Sequence, residues 1–233
     1  MLQLVTFDLD NTLWETESVV AAAEQTLLAW LARQAPLFAQ RLDAEARKAL
    51  RREVLERDPE LRHRVTALRV AVLEHGLRKA GYPVEEAQAL ALAGFQVFLD
   101  ARHAVELFPH AEALLADLAS RYALATISNG NADVRRLGLA KYFQAIVSAD
   151  EVGISKPQPE PFLAALQRVG VEPGRALHVG DHPQDDIFGA QGVGMHSLWF
   201  NRLGSDWPDL PRPDGEVRCL GEIAGWIERY KPS

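Results

Sequence analysis

A long block without any strand pattern constrains the fold of this sequence more than any other feature. Residues 16–103 are rich in Ala, Leu, Arg and Glu and contain few β-branched runs. The spacing of apolar residues and the breaks between them predict four helices, at about 16–35, 43–57, 60–80 and 84–102. Because an apolar strand pattern precedes the block and further strand patterns follow it, we expect a helical bundle inserted into another domain.

Strand patterns flank this block on both sides. Residues 2–7 are apolar and partly β-branched, which is typical of a buried strand. After the block, strands are expected at 122–127, 145–147, 176–179 and 195–200, a short helix at 132–137, and a loop at 204–215. Alternation of strands with helices is typical of a parallel sheet. We therefore expect an α/β core formed by residues 1–15 and 104–233, with residues 16–103 as a separate helical domain.

The composition excludes several classes of protein. Of the 233 residues, 48% are hydrophobic and 24% are charged, which is enough apolar side chain for a hydrophobic core. A mainly disordered chain is therefore excluded. The uncharged apolar runs of the sequence are far shorter than the roughly 20 residues that a bilayer requires. A net charge of -7 argues against nucleic-acid binding. The only cysteine, Cys219, has no partner for an internal disulfide, so we expect a cytoplasmic protein.

Two carboxylates follow the first strand directly. Asp8 and Asp10 are two residues apart, so in an extended segment they lie on the same side and could share a divalent cation. One carboxylate could attack phosphorus while the other transfers protons. Taken alone, such a pair is more often a pair of solvated acids in a turn.

Chemically useful residues also follow the later strands. Ser128 and Asn129 come at the end of the second strand, and Lys156 precedes a proline-stiffened helix start. Asp181 follows the fourth strand, and Asp186 opens the helix after it. Each of these residues has a plain structural interpretation when it is considered alone. Ligands of parallel sheets bind beyond the carboxyl ends of the strands, so together these residues predict one common crevice.

These residues resemble the four motifs of the haloacid dehalogenase superfamily of phosphohydrolases. The matching positions are Asp8-x-Asp10-x-Thr12, Ser128, Lys156, and Gly180-Asp181 with Asp186. The resemblance covers essentially the whole chain. It implies a Rossmann-like core with a parallel sheet in three α/β/α layers, and an α-helical cap domain inserted after the first strand.

The resemblance also implies a mechanism for a small phosphomonoester substrate. Asp8 would be the nucleophile that becomes an aspartyl phosphate, and Asp10 would be the general acid and then the general base. Mg²⁺ would be held by Asp8, Asp181 and the backbone carbonyl of Asp10. The phosphoryl oxygens would be held by Ser128, the Asn129 backbone N–H and Lys156, while Asp186 would orient its neighbours.

A finer resemblance concerns the bacterial phosphatases of the flavin pathway. It rests on Pro59-Glu60, His63, Val65, Thr66 and Arg69, together with segments 127–132 and 178–181. It implies flavin mononucleotide or 5-amino-6-(5-phospho-D-ribitylamino)uracil as the substrate, and so a place in riboflavin biosynthesis. His63, Thr66 and Arg69 are three residues apart within the expected helix 60–80, so Arg69 and His63 are candidate substrate-binding residues. The alternative is a solvated helix face.

Other functions remain open from the sequence. Another metabolite, such as a sugar phosphate or a nucleotide, could be the substrate of the same chemistry. A 2-haloacid dehalogenase characteristically lacks the second acid of the pair, so Asp10 disfavours that reaction. A dinucleotide-binding module is disfavoured because the glycines at 189–194 have the wrong order. A non-catalytic scaffold stays possible, as do both a monomer and a homodimer.

Overall fold

A sheet of six parallel strands forms the centre of the fold in a computed structural model that describes residues 1–230. The strands are β1 (Leu4–Phe7), β2 (Ala123–Ser128), β3 (Ala145–Ser148), β4 (Ala176–Gly180), β5 (His196–Phe200) and β6 (Gly215–Val217). Their order is β3-β2-β1-β4-β5-β6. The chain winds from β1 towards β3 and then crosses back to β4, so the winding direction reverses beside β1. Such a reversal opens a crevice at the carboxyl ends of the strands.

Helices cover the sheet and bury its strands. The helices of this part of the chain are α6 (Ala111–Ala119), α7 (Ala149–Val152), α8 (Pro159–Val169), α9 (Gly189–Gly192) and α10 (Ile223–Arg229). Helix α8 packs on β2 and β3 through the buried Phe162, while α6 packs on β2 and against α10. All four residues of β1 are buried, as a continuous apolar run in a covered parallel sheet requires. The expected three-layer α/β/α fold is confirmed.

Five helices form a second compact unit. They are α1 (Glu17–Gln34), α2 (Pro36–Arg41), α3 (Ala44–Arg57), α4 (Val65–Lys79) and α5 (Val84–Arg102). Helix α5 packs against both α1 and α4, and the shared core contains Leu27, Phe38, Leu73 and Phe98. By contacts within the chain, this unit comprises Thr16–Val105.

The other unit comprises Met1–Glu15 and the chain from Glu106 onward, and it contains the whole sheet. The last three residues of the expected core segment 104–233 lie outside the described residues. Among residues 1–230, no helix combines the length and the apolar character that crossing a membrane requires.

One expected helix is wrong in a way that affects the candidate residues. The pattern at 60–80 predicts a single helix, but Pro59–His63 forms a short 3₁₀ helix and α4 begins only at Val65. Arg64 separates them with φ -121° and ψ 79°, which is not helical backbone. His63 therefore does not share a helix with Thr66 and Arg69, and the expected continuous polar face is interrupted.

The structure also differs from two smaller expectations about the α/β unit. Residues 132–137, all within the described range, form turns instead of a helix. The expected loop at 204–215 is confirmed up to residue 214, but the strand β6 that begins at Gly215 was not predicted. Strand β6 has only three residues and no apolar alternation, so its pairing with β5 makes it a strand and its own sequence does not.

Candidate active site

The residues that the motifs single out in the α/β unit lie beside the reversal of winding. Asp8 directly follows β1, Ser128 ends β2 and Asp181 directly follows β4. A cavity of about 190 Å³ opens at this edge of the sheet. It is lined by Asp8, Asp10, Asn11, Asn129, Gly130, Lys156, Asp181, His182, Asp185 and Asp186. The structure thus brings the acids, the lysine and the end of β2 into one crevice.

A buried lysine lies between two carboxylates of this cavity. Lys156 Nζ donates to Asp8 Oδ1 and to Asp186 Oδ1, each at 2.6 Å, and to the backbone oxygen of Ile127 at 2.7 Å. Its side chain is only 2% exposed. Burial disfavours the ammonium, but the charges of Asp186 and Asp8 outweigh it and raise the pKa of Lys156. The lysine is therefore a fixed cation with all three of its N–H donors in use.

Asp186 is held from several sides. Its Oδ1 also lies 3.1 Å from Nε2 of the fully buried His178, and its Oδ2 accepts the backbone N–H of His182 at 2.9 Å. Burial alone would raise its pKa, but the Lys156 charge and the His178 hydrogen bond hold the pKa of Asp186 well below its ordinary value. Asp186 is thus an ionised anchor for Lys156.

His178 extends this network into the sheet. Its Nδ1 lies 2.7 Å from Thr6 Oγ1 on the neighbouring strand β1. When Thr6 donates this hydrogen bond, Nδ1 is the acceptor and Nε2 carries the proton that reaches Asp186. Burial lowers the pKa of His178, which agrees with a neutral ring. A chain of hydrogen bonds therefore joins Thr6, through His178, Asp186 and Lys156, to Asp8.

The side chain of Asn129 fixes the segment that carries the lysine. Its Oδ1 accepts the backbone N–H of Lys156 at 2.8 Å, and its Nδ2 donates to the backbone oxygen of Lys156 at 3.0 Å. Both ends of the amide are therefore used to attach the Lys156 backbone to the end of β2. This is a positioning contact that the sequence did not predict.

Three carboxylates of the site could hold a divalent metal ion. Ligand oxygens of Asp8, Asp181 and Asp186 all lie within 4.8 Å of one another. Burial raises the pKa of Asp8, and the charges of Asp186 and Asp181 add to the rise against the opposing charge of Lys156. Burial and then the charge of Asp186 raise the pKa of Asp181 to about 7. Three carboxylates face one ammonium, so a cation would relieve their repulsion, and oxygen ligands suit Mg²⁺.

The second acid of the pair occupies a different position from these three. Asp10 Oδ1 accepts a hydrogen bond from Trp14 Nε1 at 2.9 Å. Thr12, two residues further on, places its hydroxyl 3.4 Å from Asp8 Oδ2 and from Asp181 Oδ1. The turn after β1 therefore places Asp8 and Thr12 beside Asp181, while the carboxylate of Asp10 is directed to another part of the cavity.

The candidate residues of the helical unit have a different environment. Arg69 Nη1 donates to Glu24 Oε1, and the guanidinium lies 3.6 Å from the centroid of the Phe98 ring. Its Nε is buried and makes no hydrogen bond with any described residue. A largely apolar cavity of about 320 Å³ in this unit includes Arg69 and Glu24 in its lining. His63 is partly buried at the end of the 3₁₀ helix.

Two contributors to the site were not identified from the sequence. One is His178, which lies inside β4 and is connected to the lysine by its partner Asp186. The other is Trp14, whose fully buried side chain donates to Asp10. Its position four residues after Asp10 was the available signal, although that spacing has meaning only once the turn is known.

Comparison with known proteins identifies the class. The family model of haloacid dehalogenase-like hydrolases matches residues 2–194. The chain belongs to this family, and the resemblance stated from the motifs is confirmed.

Individual relatives narrow the class. This chain is 31% identical to the 5-amino-6-(5-phospho-D-ribitylamino)uracil phosphatase YigB of Escherichia coli over 230 residues. The match covers 97% of this chain and 96% of the relative. Over 162 residues, covering 66% of this chain and 63% of the relative, the chain is 38% identical to a phosphoserine phosphatase of Thermus thermophilus. The expectation of a phosphatase-type hydrolase is thereby confirmed.

One similar solved structure is named for a reaction other than phosphate ester hydrolysis. The 2-haloacid dehalogenase from Pseudomonas syringae pv. Tomato matches with a TM-score of 0.95 and 47% identity, over 99% of this chain and 100% of that one. The shared fold is therefore common to proteins named for two different reactions, and the residues of the site must distinguish them.

Proposed function

We propose that the protein is a Mg²⁺-dependent phosphatase that hydrolyses a small phosphomonoester through an aspartyl phosphate at Asp8. The observation that carries the proposal is the second carboxylate, Asp10, which is held in the cavity apart from the cluster of Asp8, Asp181 and Asp186. Expulsion of an alkoxide needs a proton donor, whereas a halide leaves without one. A site with a nucleophilic acid and a separate second acid fits phosphate ester hydrolysis.

In the first step, Asp8 attacks phosphorus and its new O–P bond forms as the bond to the ester oxygen breaks. Asp10, in its acid form, gives its proton to the departing alkoxide. Lys156, fixed by Asp186, stabilises Asp8 as a carboxylate before attack and faces the phosphoryl group afterwards. The Ser128 hydroxyl and the Asn129 backbone N–H are the proposed donors to the phosphoryl oxygens.

In the second step, Asp10 is a carboxylate and takes a proton from water. The water oxygen bonds to phosphorus, the Asp8–phosphorus bond breaks, and inorganic phosphate is released. Asp8, Asp181 and the backbone carbonyl of Asp10 are the proposed holders of Mg²⁺, with Asp186 orienting Lys156. The metal would neutralise charge on the phosphoryl group.

The proposed substrate class is a phosphate of the flavin pathway, either flavin mononucleotide or 5-amino-6-(5-phospho-D-ribitylamino)uracil. The near full-length similarity to the Escherichia coli enzyme named for the second compound supports it. Residues 16–103 would be the cap domain that selects the substrate, and Arg69 and His63 would be its polar contacts. An arginine with one unused buried N–H donor is suited to an anionic or carbonyl group.

A second candidate function is hydrolysis of a 2-haloacid, which the 47% identity to the Pseudomonas syringae structure favours. In that reaction Asp8 would attack carbon and displace halide. Neither a metal ion nor a proton donor would be needed, so Asp10 would have no role.

One set of assays separates the two functions. Phosphate release from p-nitrophenyl phosphate and flavin mononucleotide, with Mg²⁺ or with EDTA, is compared with chloride release from 2-chloropropionate. We expect Mg²⁺-dependent phosphate release, no chloride release, and loss of turnover in Asp8→Asn with an unchanged circular dichroism spectrum. Chloride release that survives EDTA and Asp10→Asn would instead establish the dehalogenase. Retained turnover in Asp8→Asn would overturn both mechanisms.

A further inference from the structure

The two carboxylate oxygens of Asp10 have different and specific neighbours. Oδ1 receives the indole N–H of Trp14 at 2.9 Å. The Trp14 side chain is 0% exposed, so water does not compete for this donor. A hydrogen bond from a buried donor to a carboxylate is among the stronger ones in proteins, because the acceptor is charged.

The backbone fixes the indole that makes this bond. Asn11 has φ 62°, which is the left-handed conformation that asparagine tolerates, and it turns the chain back after Asp10. Leu13 N–H donates to the Leu9 carbonyl at 2.8 Å, which closes the turn. The backbone of Trp14 then bridges to those of Asp10 and Leu107. The position of Trp14 is therefore set by main-chain pairing and does not depend on the substrate.

The second oxygen lies where only a glycine leaves space. A Cβ atom built on Gly130 would come within 2.2 Å of Asp10 Oδ2, and within 3.4 Å of Ser128 Oγ. The Gly130 N–H donates to Ser128 Oγ at 3.0 Å. Any other residue at position 130 would displace the carboxylate. Oδ2 and the Ser128 hydroxyl, a proposed phosphoryl contact, therefore both border the space that the missing side chain of Gly130 leaves open.

We propose that Trp14 and Gly130 are positioning residues for the general acid, Asp10. The inference rests on the proposed phosphatase function. The Trp14 N–H donates to Oδ1, and the carbonyl oxygen of a carboxylic acid is a better acceptor than its hydroxyl oxygen, so Oδ2 is the oxygen that carries the proton when Asp10 acts as the acid. Gly130 leaves Oδ2 the space that a Cβ atom would fill. Together they present the protonated oxygen to the ester oxygen of a bound phosphomonoester.

Trp14→Phe tests the first half of the proposal, because it keeps a buried aromatic ring and removes the N–H. We expect kcat for glycerol 2-phosphate, whose alkoxide needs a proton, to fall by at least about tenfold, within the range that general acid catalysis supplies. With p-nitrophenyl phosphate, whose leaving group needs no proton, kcat should fall by less than about threefold. The KM values should stay unchanged.

Asp10→Asn removes the acid itself. It therefore sets the largest difference between the kcat losses on glycerol 2-phosphate and on p-nitrophenyl phosphate that loss of the acid can produce. Trp207→Phe is the matched control, since its indole N–H donates at 3.0 Å to the Leu210 carbonyl. The control should leave the ratio of the two kcat values as in the wild type.

Gly130→Ala tests whether Gly130 positions Asp10 Oδ2. It also tests the proposal if Trp14→Phe does not fold. The added methyl group should push Oδ2 away and produce the same difference. Equal losses on both substrates in a folded variant would overturn the proposal. If Asp10→Asn shows this difference but Trp14→Phe and Gly130→Ala do not, only this inference fails. If the wild type hydrolyses neither ester, the proposed function fails instead.

Discussion

Charged side chains are buried in the active site of the α/β unit, whereas the ion pair of Lys48 and Glu45 in the helical unit is exposed. Lys156 is buried between Asp8 and Asp186, and every charge in that group has a partner that is itself held. In the helical unit the ion pair of Lys48 and Glu45 has side chains that are 75% and 81% exposed. Water and salt screen such a pair, so its loss costs little. The chemistry therefore depends on a network that tolerates few changes, whereas exposed pairs of the helical unit such as Lys48 and Glu45 can change with little effect.

The largest expected effect comes from removing the buried cation. Lys156→Met would leave Asp8 and Asp186 facing each other in a buried site without a counter-charge. Breaking a buried pair in this way costs about 3–5 kcal/mol of the free energy of unfolding, and activity should be lost with it. Urea unfolding followed by circular dichroism measures the loss.

A lysine of the helical unit gives the matched control. Lys79 donates to Glu53 at 2.8 Å, but its side chain is 43% exposed. Lys79→Met should leave the urea midpoint nearly unchanged. The double variant Lys156→Met/Asp186→Asn should recover part of the lost stability, because one unpaired charge is removed. Equal shifts for the two lysine variants would contradict the contrast between the units.

The next effect concerns metal binding and pH. The pKa of Asp181 is raised from 3.8 to about 7, so between these values the folded protein holds a proton that the unfolded chain releases. The stability of the metal-free protein should therefore fall as the pH rises from about 4 to about 7. Below pH 7 a metal ion must displace this proton, so Mg²⁺ affinity should fall as the pH falls and approach a loss of about tenfold per pH unit well below pH 7.

Isothermal titration with MgCl₂ measures this dependence. Between pH 7 and pH 5.5 we expect an affinity loss of about 15-fold from Asp181, and the raised pKa of Asp8 should add to this loss. Asp181→Asn should bind Mg²⁺ much more weakly at both pH values. An affinity that is the same at pH 7 and pH 5.5 would show that these carboxylates are not the ligands.

A smaller effect is expected from the end of the buried network. His178→Phe removes the donor to Asp186 and a partner of Thr6, at a cost of about 1–3 kcal/mol for the buried groups left unpaired. His178→Gln can still donate to Asp186 and should restore part of the stability and activity. Thermal unfolding and phosphatase assays on both variants measure this. If His178→Gln is no better than His178→Phe, the residue contributes only volume.

Much of the site followed from the sequence because strand ends in a parallel sheet share one edge. That rule predicted that Asp8, Ser128 and Asp181 would meet, and the structure brings Asp8 and Asp181 to one cavity that Asn129 and Gly130, directly after Ser128, also line. It could not predict the contact of His178 with Asp186, because the π-helix Pro183–Phe188 determines which side chain points back towards the strand. It also missed β6, whose pairing depends on β5 and not on its own pattern.

The helical unit was harder to predict, because one non-helical residue changes a helix face. Arg64 ends the 3₁₀ helix, and so His63 and Arg69 do not belong to one continuous surface. The burial of Arg69 against Phe98 was not visible in the spacing either, since a long side chain can cover an apolar neighbour while its charge pairs elsewhere. Substrate contacts of this unit therefore need a direct test.

Substitutions at Arg69 and Glu24 should have the smallest effect on stability. They also test whether the helical unit contacts the substrate. Arg69→Met removes a guanidinium that stacks on Phe98, and Glu24→Gln weakens only the ion pair. Each should lower the free energy of unfolding by about 1 kcal/mol or less, because both side chains are partly exposed.

If Arg69 binds the substrate, Arg69→Met should raise KM for flavin mononucleotide about tenfold per 1.4 kcal/mol of lost binding. Glu24→Gln keeps the cation and should leave that KM unchanged or lower it, and neither change should affect p-nitrophenyl phosphate. Unchanged KM values in both variants would assign Arg69 to the packing of its own unit.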